Sequence, residues 1–266
     1  MRMKNILFAF FLLLLYRLVL HANPIYDTAV SYWKFDEASG SSVVDSRGSN
    51  NGTISGATRV TGQVGKALSF DGVNDYVTVN NSSAGLSIRN NLSVSLWSAN
   101  TDNFSQDSAG NYLVSKGVIG TTPWNDYTIT FSSSYKYSFT VITNQGNYSA
   151  TTSSAYADSA MHHVTGVYDY SASQIRIYVD GQLQGSSFAA GTITNNNNTF
   201  YIGDWNGSSG WHFHHGKLDE VAVWNRTLSA QEAMSLYTGI PIPECSSFFF
   251  MIFALGVISW LRNRKK

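Results

Sequence analysis

From Ser31 to Trp224 apolar and polar side chains alternate in runs of four to seven residues, each bounded by Gly, Asn, Ser or Asp. Alternation with period two sends successive side chains to opposite faces of a strand. Short runs of this kind separated by turn residues are the pattern of an antiparallel sandwich or jelly roll. The runs are Ser31–Phe35, Ala67–Phe70, Tyr76–Val79, Leu92–Trp97, Tyr112–Ser115, Tyr127–Phe131, Tyr137–Ile142, His163–Tyr168, Gln174–Val179, Gln182–Ser186, Thr199–Ile202 and Leu218–Trp224. In Leu92–Trp97 the pattern is sharp: Leu92, Val94 and Leu96 point one way, Ser93, Ser95 and Trp97 the other. Asp180-Gly181 sits between two runs as a two-residue hairpin turn, where glycine supplies the positive φ. Turn chemistry accounts for Asp180 without any further role.

One segment departs from period two. Ala230–Tyr237 reads as a helix, with Ser229 as N-cap, Glu232 three residues on to complete a capping box, and Gly239 after its end. Pro241 and Pro243 then open a linker. No second domain boundary and no repeat of 20–50 residues interrupts the chain, so residues 23–239 are expected to form one all-β, two-sheet domain.

Composition supports this reading. Hydrophobic residues make up 43% and aromatic residues 14%, enough for a large core. Charged residues are only 13%, against roughly 25% in ordinary globular proteins; Ser, Thr, Asn and Gly take their place, as on an exported β-protein. The formal charge is zero, but seven of the 17 basic residues lie at the two ends. Residues 23–243 keep ten basic against sixteen acidic groups, a net charge of −6. An acidic body without a Lys/Arg footprint argues against a nucleic-acid partner. Cys245 is the only cysteine, which excludes an intrachain disulfide and a cysteine-based structural zinc.

The ends read as addresses. Arg2 and Lys4 precede an apolar run from Ile6 to Tyr16, and Ala22 is a small residue before Asn23. That is the layout of a secretory signal peptide over residues 1–22, with an uncleaved anchor as the alternative. At the other end, Ile240–Cys245 and the two serines that follow form a linker over residues 240–247. An apolar stretch from Phe248 to Leu261 and a basic terminus complete residues 248–266. As a helix the stretch is roughly 21 Å long, short for a ~30 Å hydrocarbon core but extended by Ser246, Ser247 and snorkelling basic side chains. The basic end orients it toward the cytoplasm. This tail resembles the PEP-CTERM sorting signal of Gram-negative bacteria: Pro243 and Glu244 match, and Cys245 stands where the second proline belongs. The expectation is an exported protein, periplasmic or at the cell surface, held or sorted through its C-terminal helix. Cys245 is either an acylation site or an ordinary thiol.

Three blocks together resemble the LamG-like jelly-roll family, a branch of the concanavalin A-like sandwiches. They are SYWKFDEASGSSVVDSRGSNNGT (Ser31–Thr53), then GKALSFDGVNDYVTV (Gly65–Val79) followed by LSVSLW (Leu92–Trp97), and finally the region from HHVTGVYD (His162–Asp169) to GKLDEVAVWNRTLSAQEAMSLY (Gly216–Tyr237). The resemblance implies a convex and a concave sheet, with ligands held at the concave face or its rim loops. It implies no single function, because the fold carries lectins, adhesion modules and glycosidases. It also implies, in many such domains, a structural calcium ion between the opening and closing strands; Asp36 in YWKFDE and Asp219 in KLDEV are the matching acids. Hard oxygen ligands suit Ca²⁺, and the alternative is that both acids only accept hydrogen bonds from loop amides.

Catalytic signals are weak by comparison. Concanavalin-like glucanases carry a Glu-x-Asp-x-x-Glu-type strand, and none of Glu37, Glu220, Glu232 and Glu244 lies within ten residues of another. Gly62-x-x-Gly65-Lys66 lacks Walker spacing, and no G-x-S-x-G elbow occurs. His162 and His163 suit core or hydrogen-bonding roles. His212 and His214 would share one face of an extended segment, a spacing open to a transition metal, with Asp204 the only nearby acid. Trp124, Trp205 and Trp211 lie in Gly/Asn/Ser-rich segments where alternation does not demand burial, and with His212 they are the candidate ligand contacts. A sugar ring stacks its C–H face on such aromatic planes. The expected function is therefore a non-catalytic binding or adhesion module for carbohydrate or another surface polymer. The alternatives are a glycoside hydrolase or lyase with a relocated acid pair, and an inert matrix protein.

Overall fold

The computed structural model describes residues 23–79, 85–101, 111–117, 125–194, 198–206 and 212–241. Their strands, in chain order, are β1 (Ser31–Trp33), β2 (Ser42–Val43), β3 (Gly52–Ser55), β4 (Thr58–Thr61), β5 (Lys66–Asp71), β6 (Tyr76–Val79), β7 (Leu92–Asn100) and β8 (Asn111–Gly117). The second half of the chain adds β9 (Asn125–Phe131), β10 (Tyr137–Thr143), β11 (Gly146–Thr151), β12 (His162–Asp169), β13 (Gln174–Val179), β14 (Gln182–Phe188), β15 (Phe200–Ile202) and β16 (His215–Trp224). One helix, α1 (Ala230–Thr238), follows. Every run expected from alternation is a strand. Four strands lay outside that pattern: β2, β3, β4 and β11. They are short or lie toward the sheet edges, and β4 has no buried residue while β11 has only one.

The strands form two eight-stranded sheets, antiparallel throughout. The first runs β14-β13-β12-β7-β16-β5-β4, with β1 also paired to β16; the second runs β11-β10-β9-β8-β15-β6-β3-β2. Their facing sides enclose the main core: Phe70, Val94, Leu96, Val164, Ile177 and Leu218 from the first sheet meet Val77, Ile129, Phe139, Val141, Phe200 and Ile202 from the second. Close interior packing requires small residues at particular points. Gly166 is one: a Cβ there would lie 2.3 Å from the Phe139 ring, so the close approach of the sheets at β10 and β12 needs glycine.

The outer side of the first sheet is covered too. Ile25, Leu228, Ala233 and Leu236 pack on Tyr32, Val167, Tyr178, Ala222 and Trp224 as a second, smaller core. This cover explains why all nine residues of β7 are buried, including the serines that alternation sends outward. Ser93 is satisfied there, donating to the Arg226 carbonyl (2.8 Å) and accepting from the Leu228 amide (3.0 Å). The helix begins as expected: Ser229 Oγ accepts from the Glu232 amide, Glu232 accepts from the Ser229 amide, and Gly239 ends it at φ 67°. Asn23 and Ile25 tie the N-terminal segment to this end, donating from Asn23 Nδ2 to the Ser235 carbonyl (2.9 Å) and accepting at the Ile25 carbonyl from Trp224 Nε1 (2.9 Å).

Candidate functional site

The outer side of the second sheet has a different character. Residues paired directly across neighbouring strands share a face, and the register links Ser149, Thr140, Thr128, Ser115, Tyr201, Thr78, Thr53 and Ser42 in one row. Each of the eight strands contributes one hydroxyl. The row is buried at its centre, at Ser115 and Thr128, where Ser115 Oγ donates to the Trp205 carbonyl (3.0 Å). Toward β10 and β11 it opens to solvent, and Thr140 and Ser149 lie 2.8 Å apart, hydroxyl to hydroxyl. A parallel row, Thr151, Ser138, Thr130 and Tyr112, runs beside it, with Ser138 and Thr151 paired at 2.7 Å.

That second row ends on an aromatic cluster. Tyr112 stacks on Trp205 (centroids 5.9 Å apart, planes 18° apart), and the His212 ring stands edge-on to both, at 5.5 and 5.7 Å. All three rings are half-buried. His212 takes φ 80°, and its amide region is fixed by the Tyr112 amide, which donates to the His212 carbonyl (3.1 Å). Farther along the same face, Tyr76 and Tyr201 meet edge to face at 6.2 Å. At the end of β8, in register with the core residues Phe200 and Tyr127, Lys116 forms a buried ion pair, donating from Nζ to Asp126 (3.1 Å) and to the Asn198 carbonyl (3.2 Å). Hydroxyls that both donate and accept, beside half-buried aromatic rings, suit a neutral, hydroxyl-rich ligand.

Of the candidates named from sequence, Trp205 and His212 come together on this face, while Trp124 and Trp211 lie outside the described residues. The histidine pairing with His214 does not form one surface. His214 is fully buried beside Phe70 (5.6 Å), and burial drives its pKa down to about 3. His163 is likewise buried and held at about 4, edge-on to Trp97. His162 is half-buried between Asp180 (2.8 Å) and Asp158 (3.0 Å), whose carboxylates raise its pKa. Sequence reasoning missed Tyr112, Tyr201 and the hydroxyl rows. Their signal was the outward set of each alternating run, such as Ser138 and Thr140 or Thr128 and Thr130.

Asp36 and Asp219 meet at the β4–β5 turn. Asp219 Oδ2 accepts the amides of Gln63 (2.9 Å) and Val64 (3.0 Å), and Asp36 Oδ1 accepts that of Lys66 (2.8 Å). Burial, reinforced by the Asp36 charge, pushes Asp219 up to about 7. Its Oδ1 is buried and accepts no hydrogen bond. Two like charges and an orphaned buried oxygen fit a cation, with turn carbonyls and water needed to reach the six to eight oxygens of Ca²⁺. Among the described residues, no group of three or more His, Cys, Asp or Glu is arranged to hold a metal. Glu220, next in the chain, is raised to about 8 by burial and bonds the Tyr32 hydroxyl.

The fold has many known counterparts. Domain 4 of a GH43 extracellular arabinanase from Geobacillus stearothermophilus, solved in complex with arabinotriose, aligns over 79% of this chain and 98% of its own, at 17% identity and TM-score 0.61. The binding domain of Paraclostridial Mosquitocidal Protein 1 aligns over 80% of this chain and 52% of its own, at 16% identity and TM-score 0.62. The ligand-binding domain of botulinum neurotoxin serotype D, in complex with N-acetylneuraminic acid, aligns over 81% and 52%, at 13% identity and TM-score 0.61. The chain thus spans about half the length of the two toxin domains. No curated protein sequence is significantly similar to it. The sequence profile of the concanavalin A-like lectin/glucanases superfamily matches residues 71–234. With most of the chain matched, this protein belongs to the concanavalin A-like lectin/glucanases superfamily.

Proposed function

We propose that the protein is a non-catalytic carbohydrate-binding module that takes a neutral oligosaccharide on the outer face of its second sheet. The observation that carries this is the hydroxyl grid of β9–β11 leading onto the Tyr112–Trp205–His212 cluster. From β8 to β11 there are three inter-strand gaps of about 4.8 Å, roughly 14 Å in all, room for a few sugar units. The arabinotriose and N-acetylneuraminic acid in the two similar domains add weight to a sugar ligand. A glycan array with the purified protein, followed by calorimetry on the best oligosaccharide, tests it. Trp205→Ala and Tyr112→Ala are each expected to weaken binding by about tenfold, equivalent to ~1.4 kcal/mol. Silence across the array, or binding indifferent to both substitutions, overturns it. A hydrolase would need its paired carboxyls at this face, and the two carboxyls with strongly raised pKa values, Asp219 and Glu220, belong to the first sheet.

Calcium at Asp36 and Asp219 is part of the same proposal. The ion would sit against the β4–β5 turn and brace it to β16. Chelator is then expected to lower the melting temperature and added Ca²⁺ to restore it, through binding linkage, with the response weakened in Asp219→Asn. A melting curve indifferent to chelator removes the ion.

For the ends we propose export through residues 1–22 and retention or sorting through the PEP-CTERM-like tail, both outside the described residues. Support comes from the basic, apolar and small-residue order of the first segment and the Pro-Glu, apolar and basic order of the last. Fractionation with mass spectrometry of the mature C-terminus is the test. An intact Lys266 on a freely soluble cytoplasmic protein refutes it.

A further inference from the structure

The first sheet also carries a cavity, on the side away from the hydroxyl face. It measures about 350 Å³, between the C-terminal end of α1, the β4–β5 turn and the strands β1, β7 and β16. That is the lower end of the roughly 300–1,000 Å³ range of small-ligand clefts. Its walls include Tyr32, Trp97 and Tyr237, with Lys34, Gln63 and Glu220 among the polar groups. Tyr26, which also lines the cavity, stacks on Tyr32 at 4.1 Å. Trp97 packs against Tyr237 at 5.7 Å, and Tyr237 is exposed at the rim.

Glu220 is the telling residue. It is 4% exposed, so it has lost its hydration. One carboxyl oxygen, Oε2, takes the Tyr32 hydroxyl, and the other, Oε1, is buried without a partner. A buried acceptor left unmade is costly, and a purely structural position would be better served by a group without it. The backbone holds Glu220 at φ 52°, at the irregularity where the pairing of β16 with β7 is interrupted, and the residue lines the cavity.

Charge decides the ligand class. Lys34 Nζ lies 5.3 Å from the Tyr32 ring centroid and disfavours a cation in the same space. Arg47 lines the cavity with Lys34, Asp36 on the same wall disfavours an anion, and burial favours the neutral form of the Glu220 carboxyl. What remains is a neutral molecule with several donors and acceptors. We propose that this cavity is a second binding pocket, separate from the oligosaccharide face, which takes a single neutral sugar unit. Its hydroxyls hydrogen-bond to the Glu220 carboxyl and accept from Lys34, and its C–H face lies against the Tyr237 ring.

The pocket stands on its own residues and is tested apart from the other face. The full-length protein is titrated with free D-glucose, D-galactose, L-arabinose and N-acetyl-D-glucosamine, and binding is read by tryptophan fluorescence and calorimetry. At least one of these is expected to bind, with affinity reduced about tenfold or more in Glu220→Ala and in Tyr237→Ala and retained in Trp205→Ala. Tyr237 lies at the rim, so its substitution leaves the fold intact and decides the matter if Glu220→Ala does not fold. No binding by any of the four sugars overturns the pocket. Binding unchanged in Tyr237→Ala, or lost only in Trp205→Ala, overturns it as well, and the latter result leaves the oligosaccharide face standing.

Discussion

Lys116→Met probes how much the buried ion pair at the end of β8 contributes to stability. The Lys116 and Asp126 side chains are 1% and 2% exposed and meet at 3.1 Å. Removing the ammonium leaves the Asp126 carboxylate buried with Thr194 Oγ1 at 3.3 Å as a remaining donor. It also strips the Asn198 carbonyl of its lysine donor. Breaking one partner of a buried pair costs about 3–5 kcal/mol. For a domain of this size each kcal/mol shifts the melting temperature by about 2–4 °C, so a fall on the order of 10 °C is expected. The double variant Lys116→Met/Asp126→Leu removes both charges and is expected to return to within about 1–2 kcal/mol of the original protein, since a well-packed apolar pair replaces an ion pair at little net cost. Urea unfolding followed by tryptophan fluorescence gives the four corners of the cycle. A loss below about 1 kcal/mol in Lys116→Met, or a double variant as unstable as the single one, refutes the reasoning.

Two further predictions concern pH. Burial holds His163 at about 4 and His214 at about 3, below the 6.5 of an exposed imidazole. The unfolded chain binds these protons first, so their contribution is fully present above pH 6.5 and is lost as pH falls toward those values. Urea midpoints should drop across that range, and His214→Phe should flatten the fall; an unchanged acid limb in that variant defeats the assignment. His162 is the opposite case, raised chiefly by the hydrogen bond to Asp180 and then by that to Asp158. Its contribution is present below pH 6.5 and is lost as pH rises through the folded value. The stability gap between the native protein and Asp158→Asn should therefore narrow from about pH 5.5 to about pH 8.5, and a constant or widening gap counts against the clamp.

The fold was legible because alternation is imposed by a two-sheet core. Leu92, Val94 and Leu96, or Tyr137, Phe139 and Val141, cannot swap faces without losing it. The missed strands lacked that constraint: β4 is an edge strand with no buried residue, and β2 is only two residues long. The candidate face was less legible for a related reason. A row such as Ser149, Thr140, Thr128 and Ser115 joins residues of four separate strands, and register exists only once those strands pair. Trp205 and His212 stood out as loop aromatics, but Tyr112 lies in a strand, where an aromatic reads as core. Glu220 was hidden for another reason: strict alternation gives no hint of the interruption at Asp219–Ala222, where it lines a cavity.

The two faces divide the work of the domain in a way the sandwich itself makes natural. The main core lies between the sheets, so each sheet has a second side free of that duty. The first sheet spends part of its outer side on α1 and the N-terminal segment, and the cavity lies where that cover stops, at Tyr237 and Glu220. The second sheet leaves its outer side to hydroxyls that pair with one another and would exchange those bonds for a ligand's at small net cost. With both proposed sites occupied, the module would hold a sugar unit in the pocket and a chain segment on the opposite face. Linking two weak sites raises avidity far beyond either alone. Under that proposal the binding-module and matrix-protein readings of the sequence are compatible, because a binder with two such sites would cross-link the polymer it recognises.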